Sequence, residues 1–274
     1  MDELEKKAAQ HRRTLVDLTH RTGGAYLAQA LSCIDLMTAL LHGFVKGRPG
    51  EPGWAGRDRF LLSPGHYALP LYVCLADRGY FGKERLETFK QNGSKVELAT
   101  HRGSLPGIEV SGGSLGQALS VGVGMALAGK MKGEGHRVFV MMGDGEQASG
   151  QVWEAAAAAA QFGLSNLVAV VDGNGMQVDG ATRDVMDMEP LVERYGTSRW
   201  IAREVDGHDM GAIVKAMDGL LGEEDDRPRV LVGRTVRGKG IPFMENNPKF
   251  HYTRLDEDLA GKAMDGLEGS WDDA

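Results

Sequence analysis

The apolar and polar positions of the chain first fall into a helical stretch, residues 2–22, in which Leu4, Ala8, Leu15 and Leu18 share one face. A second helix, "CIDLMTALLHGFV", runs from Cys33 to near Gly47. The Gly- and Pro-rich loop "PGEPGWAGRD" leads into the apolar strand "RFLLS" and the turn "PGHYA". "LPLYVCLADRGY" returns to helical spacing and "ERLETFKQN" reads as a surface helix, whereas residues 93–117 keep no period and read mostly as loop. After the small-residue helix "GQALSVGVGMALAGKMKG" the order becomes strand, turn, helix, strand: "RVFVMM", "GDGEQASG", "QVWEAAAAAAQFG", "NLVAVVD". Two continuously apolar strands flanking a helix mark parallel strands buried on both faces. "RWIAREVDGHD", "GAIVKAMDGLLG" and "RPRVLVGRTVRGKG" repeat that order. The pattern predicts an α/β fold, a doubly wound and mostly parallel sheet with helices on both faces, as one domain over residues 1–274. An irregular acidic tail is expected from about residue 255.

Composition narrows the partners. The 274 residues are 42% hydrophobic and 25% charged, a globular profile, and the formal charge of -7 argues against a nucleic-acid or anionic-membrane surface. No stretch approaches the roughly 20 apolar residues that cross a bilayer, and no apolar leader opens the chain. Cys33 and Cys74, both inside apolar helical patterns, read as buried free thiols, so a cytoplasmic location is expected. Phosphate binding stays open, provided that backbone amides, a few placed side chains and a metal supply the charge.

The 39 glycines cluster after apolar runs, most tellingly in "GDG" at 143–145 and "DGNG" at 172–175. In a right-handed βαβ unit the loops leaving successive parallel strands share one edge of the sheet. Asp144 and Asn174, thirty positions apart, are therefore expected side by side. Two hard oxygen ligands, too few to fill a coordination shell, suit Mg²⁺ or Ca²⁺ completed by water and by the phosphate oxygens of a ligand. Gly143 and Gly145 expose backbone N–H groups at the start of the next helix, where a diphosphate is favoured. The run of six alanines between the turns is read as packing.

"GDG", one helix, one buried strand and "DGNG" at this separation form a thiamine diphosphate fingerprint. With "RDRFLLSPGHYALPLY", "PGIEVSGGSLGQALSVGVGMA", "VDGHD" and "TVRGKGIPFMENNPKFHY", they give a chain that resembles the N-terminal section of transketolase over residues of roughly 10 to 255. The resemblance implies the thiamine diphosphate-binding fold. It implies a metal, Mg²⁺ with Ca²⁺ or Mn²⁺ as substitutes, held by the Asp144 carboxylate, the Asn174 side-chain oxygen and the Met176 carbonyl. It implies that Gly145 donates to the diphosphate, that Gly113 and Leu115 contact the aminopyrimidine side, and that His66 and His251 lie at cofactor and substrate. His101 matches a histidine at the donor sugar, in a loop about two residues short. His11, His20, His42 and His136 are assigned to structure, and His208 is given no chemistry.

Two departures stand out. Where the family carries a histidine after glycine, this chain has Gly24, which points to an atypical donor sugar. Five positions after the metal aspartate a family glutamate is replaced by Ser149, although the next, Glu154, is kept at the cofactor-proximal interface. The resemblance also implies a missing half, since the glutamate that activates the aminopyrimidine sits on a second domain. The expected protein is thus one subunit of a split transketolase that moves a two-carbon ketol unit from a ketose phosphate to an aldose. It would be active only with a second subunit, in a heterotetramer with interfaces of about 2,000 Å² or more. The alternatives are a non-catalytic or regulatory subunit, or part of another thiamine diphosphate enzyme whose substrate is a branched or sulfonated sugar.

Overall fold

The apolar runs pair as parallel strands, in a computed structural model that describes residues 2–269. They are β1 (Arg59–Leu62), β2 (Val138–Gly143), β3 (Leu167–Gly173), β4 (Ile201–Asp206) and β5 (Arg229–Arg234), ordered β1-β2-β3-β5-β4. Side chains alternate between the two faces, and both faces are buried. Phe60, Phe139, Met141, Val168, Val170 and Leu231 join one apolar layer, whereas Leu61, Val138, Val140, Met142, Val171 and Val232 join the other. This is why the strands read as unbroken apolar runs rather than as alternating ones.

The first layer is roofed by α1 (Asp2–Arg21), α2 (Leu27–Ala39) and α3 (Ala68–Asp77). The second is roofed by α4 (Gln117–Lys132), α5 (Gly150–Gln161) and, beyond the short α6 (Thr182–Val185), by α7 (Leu191–Thr197). The chain moves outward from β1 to the edge strand β4 and then turns back to β5. With right-handed crossovers that reversal sends α8 (Met210–Gly222) to the α1 side, where Met210, Ile213, Met217 and Leu220 are buried.

Three expectations are corrected. The second helix starts at Leu27, not Cys33; every residue of α2 is buried, so no polar face marks where it begins. Leu27–Phe44 also has the length and mean hydropathy, 1.3, of a membrane span, yet 83% of it is packed inside the protein, as a core helix should be. The stretch around "ERLETF" is a tight 3₁₀ segment, Lys83–Thr88, and not an α-helix. The acidic end is not irregular as far as it is described: Glu257–Gly269 forms α9, and residues 270–274 of the expected tail lie outside the described residues. Its acidity is capping chemistry. The Asp256 side chain accepts from the Leu259 N–H at 2.9 Å, Glu257 and Asp258 occupy the positive end of the helix dipole, and Ala263 and Leu267 are buried in the first layer.

Buried polar links fix the loops to this frame. Arg12 of α1 pairs with Asp35 of α2, and His208 Nδ1 bonds the same carboxylate at 2.7 Å. Burial works to raise the Asp35 pKa, but Arg12 and His208 outweigh it and hold the carboxyl below its ordinary range. The other His208 nitrogen, Nε2, accepts the Val236 N–H at 2.8 Å, which anchors the loop after β5 to α2. His208, without a role in the sequence reading, is a structural pin.

Gly122 and Gly124 of α4 offer a test of this packing. A Cβ at Gly122 would sit 2.7 Å from a Val140 methyl in β2, whereas one at Gly124 meets nothing within 4 Å. Gly122→Ala is expected to destabilise the chain by about 1–3 kcal/mol through overpacking, and Gly124→Ala to stabilise it by roughly 0.5–1 kcal/mol through helix propensity. Urea midpoints at constant slope measure both.

Candidate active site

At the C-terminal edge of β2 and β3 the two glycine-rich turns meet as the strand order requires. The Gly175 N–H donates to Asp144 Oδ2 at 2.5 Å, and the Met176 N–H donates to Asn174 Oδ1 at 3.0 Å. The second turn is braced by an isolated antiparallel bridge between Met176 and Ala181 and by Thr182 N–H to Gly175 O at 2.8 Å. Gly175, at φ +71°, supplies the left-handed residue that this reversal needs.

Asp172, the penultimate residue of β3, sets the orientation of Asn174. Its fully buried carboxylate accepts from Tyr67 Oη at 2.6 Å, from Asn174 Nδ2 at 3.0 Å, and from the hydroxyls of Ser32 and Thr235. With its Nδ2 held this way, the Asn174 amide leaves its oxygen to accept the Met176 N–H within the turn. Glu146 does similar work on the other wall. It accepts from Ser63 Oγ at 2.5 Å, Gly116 N–H at 2.6 Å and Gly143 N–H at 2.7 Å, joining the ends of β1 and β2 to the start of α4.

Between these walls lies a cleft of about 190 Å³. Of the residues expected at the site, His66, Leu115, Asp144, Gly145, Asn174, Met176 and His251 line it. Gly113 stands just behind, its N–H donating to Ser63 O at 3.1 Å. Glu154 is exposed on α5, and the His101 side chain is 62% exposed beside Glu97, 3.3 Å away. Neither reaches the cleft within this chain.

Charge in the cleft is unbalanced in two places. Burial pushes the Asp144 pKa up to about 6, and among the described residues no cation pairs with it. Arg237, 2% exposed, likewise pairs with no carboxylate; its Nη1 donates to Gln177 O at 3.1 Å, and its Nε has no partner. Burial lowers its pKa. Arg237 lies in the stretch "TVRGKG", where a cation close to glycines at a strand end was the available signal.

The histidines are neutral, and one has a defined tautomer. His251 Nδ1 faces Gln29 Nε2 at 2.8 Å and Arg237 Nη2 at 2.9 Å. A guanidinium can only donate, so Nδ1 must accept and the proton sits on Nε2. Burial, then the nearby Arg237, lowers the His251 pKa. Burial, then His251 and Arg237, lowers that of His66 to about 4. Tyr26 packs against both, its ring centroid 5.6 Å from that of His66 and 5.3 Å from that of His251, while the two imidazoles lie 6.2 Å apart. Gly24 is structurally required: at φ +119° a Cβ would lie 2.8 Å from Thr253 O, so this backbone has no place for a histidine there.

A protein family described as "Transketolase, thiamine diphosphate binding domain" matches residues 4–267. The chain is 36% identical over 253 residues to a protein of Phocaeicola vulgatus named as one subunit of an apulose-4-phosphate transketolase, covering 92% of this chain and 89% of that one. It is 34% identical over 266 residues to the 6-deoxy-6-sulfo-D-fructose transketolase subunit SqwG of Clostridium sp. strain MSTE9, covering 97% and 96%. The transketolase structure from Campylobacter jejuni superposes with a TM-score of 0.91 at 26% identity. That match takes in 98% of this chain but only 43% of the other, so the chain spans less than half of that transketolase.

The neutral state of His66 has a measurable consequence. Its folded pKa lies below the ordinary histidine value of about 6.5, so as pH falls through the window between them the unfolded chain takes up the proton first. Stability should therefore fall from pH 7 to 5, by up to about 2 kcal/mol from this residue. Urea midpoints at constant slope should fall less steeply across that range in His66→Asn than in the unaltered chain, while His42, also lowered to about 4 by burial, and Asp144, raised to about 6, contribute equally to both. Nitrogen-15 spectra of the histidine rings should show His251 protonated on Nε2.

Proposed function

The chain belongs to the transketolase family, and from that premise we propose that it is the diphosphate-binding subunit of a split transketolase that works with a second chain. The observation that carries this reading is the pair of uncompensated charges in the cleft. Among the described residues Asp144 forms no ion pair with a cation, and Arg237, although it feels the charge of Asp172, forms none with a carboxylate. A magnesium ion with its diphosphate supplies a partner for each.

The donor set fits that group. Asp144, the Asn174 amide oxygen and the Met176 carbonyl are hard oxygen donors suited to Mg²⁺, with Ca²⁺ or Mn²⁺ as substitutes. Gly145, at the cleft wall, offers its N–H to a diphosphate oxygen, and Arg237 adds the positive charge that the net acidic chain otherwise lacks. Leu115 and Val178, 45% and 60% exposed at the rim, present apolar surface to the cofactor and the partner. When bound, thiamine diphosphate acts as the electron sink that lets a ketose C–C bond break and a two-carbon ketol unit pass to an aldose.

The chain's own residues orient the substrate. His251, with Nε2–H free to donate, is set to bond a substrate oxygen, and His66, kept neutral by burial, can accept a hydrogen bond from a substrate hydroxyl or donate one to it. Asp172 and Glu146 position the turns without touching the reactants. His101 and Glu154, exposed in this chain, would act only once the second chain covers them. The second chain would supply the carboxyl group for the aminopyrimidine, in a cytoplasmic assembly of two plus two. The relatives' names, which cite a 4-phosphorylated apulose and a sulfonated fructose, together with the absent histidine at Gly24, favour a donor other than the ordinary pentose phosphates.

Co-expression with the product of an adjacent reading frame, followed by ketol-transfer assays with thiamine diphosphate and Mg²⁺, tests the reading. Turnover is expected from the complex and none from the chain alone; full turnover by the single chain would refute the split. A well-formed complex silent toward branched, sulfonated and ordinary ketoses would shift the reading to a regulatory subunit. Asp144→Asn should weaken Mg²⁺-dependent cofactor binding, measured by calorimetry on the complex, by about 100-fold or more. The same change should leave the thermal midpoint of the chain alone equal or higher, because it removes a buried charge without a partner.

A further inference from the structure

A second group of ligating side chains lies along α3, away from the cleft and unused by the proposed chemistry. His11 of α1, His42 in the turn after α2 and Cys74 of α3 each offer an atom within 4.8 Å of the others. We propose that these three residues, with Asp77 beside them, form a metal site for a borderline-soft divalent ion of the zinc class, clamping the first three helices together.

The local geometry is that of a site rather than of a finished hydrogen-bond network. His11 Nε2 and His42 Nε2 are both buried and have no hydrogen-bond partner among the described residues. The other His11 nitrogen, Nδ1, lies 2.9 Å from Thr38 Oγ1; donating its proton there leaves the lone pair on Nε2, the usual arrangement behind a metal-bound imidazole. Asp77 Oδ2 stands 3.5 Å from His11 Nε2 and 3.7 Å from His42 Nε2. Those separations are long for hydrogen bonds, yet close to the roughly 3.3–3.4 Å between neighbouring ligands on a tetrahedral ion with bonds of about 2.0–2.1 Å. Cys74 supplies a buried thiol for the fourth position, its ligating atom within 4.8 Å of those of both histidines.

The backbone is shaped to bring His42 in. Leu40–Phe44 forms a π-helical turn, closed by Val45 N–H to Leu40 O at 2.8 Å, and the extra residue rotates His42 until its ring centroid is 5.4 Å from that of His11. Two imidazoles and a sulfur exclude Mg²⁺ and Ca²⁺, which take oxygen, and suit Zn²⁺. The site is therefore chemically distinct from the Asp144–Asn174 pair. Without an ion, Lys7 and Lys83 hold Asp77 at 2.9 and 2.8 Å; their side chains are 28% and 61% exposed, so both can swing to water when a metal takes the carboxylate.

The test uses the untagged full chain, stripped with a chelator and kept in excess Mg²⁺ so that the oxygen site is not counted. Calorimetric titration with Zn²⁺ should show one equivalent bound and a raised thermal midpoint, and Co²⁺ should give a sulfur-to-cobalt charge-transfer band. His42→Asn should cut Zn²⁺ affinity by at least about 10- to 100-fold, and the near-isosteric Cys74→Ser should abolish the charge-transfer band. Asp144→Asn should leave Zn²⁺ binding unchanged, which separates this site from the cleft. No stoichiometric uptake by the wild-type chain, or uptake that His42→Asn and Cys74→Ser both leave unaltered, overturns the proposal.

Discussion

A single buried carboxylate holds the cleft in shape. Asp172, fully buried one residue before the end of the central strand β3, is kept there by donors from α2, from the turn before α3, from its own loop and from the loop after β5. A buried acceptor left without such donors would be costly, so each of the four segments is drawn to the strand end, and each is fixed once it arrives. Asn174 takes its orientation from this bond. Tyr67 extends the same control to the neighbouring His66, since their rings meet edge to face with centroids 4.7 Å apart. The hydrogen bonds that satisfy one acid therefore also arrange the residues that face a ligand.

How much of this was legible in the sequence depended on range. The turns at Asp144 and Asn174 could be placed together because one helix and one strand separate them, and the handedness of βαβ units does the rest. Met176 and Gly145 came with them as part of the same words. Gln29, Arg237 and Glu146 were not legible. Gln29 meets His251 across 222 positions, and Glu146 finds its role only when β1, β2 and α4 converge. Local polarity misled as well as informed: the acidic residues 256–258 read as a solvated tail, whereas they cap a helix whose buried face, Ala263 and Leu267, is too sparse to show a period.

The departures from the family pattern take on different weights once their surroundings are known. Gly24 cannot be exchanged for the family's histidine, because Thr253 O occupies the place of its Cβ and Tyr26 fills the space beside His66 and His251. Ser149, by contrast, lies against Gly116, where a Cβ would come within 2.8 Å of its hydroxyl, and the nearby buried acid is Glu146. The first departure lies beside the ring cluster of Tyr26, His66 and His251. The second belongs to the contact between the starts of α4 and α5, where Ser149 is half-buried.

The isolated bridge between Ala25 and Thr253 joins the segment before α2 to the one before α9, with the N–H of each residue donating to the other's carbonyl at 2.9 and 2.8 Å. It also carries the segment on which His251 rides. His251 therefore takes its place in the cleft only when the segments before α2 and before α9 have paired, a contact between distant parts of the chain. The position of this histidine thus depends on tertiary closure, through Ala25, Gln29 and Arg237, rather than on the conformation of its own loop.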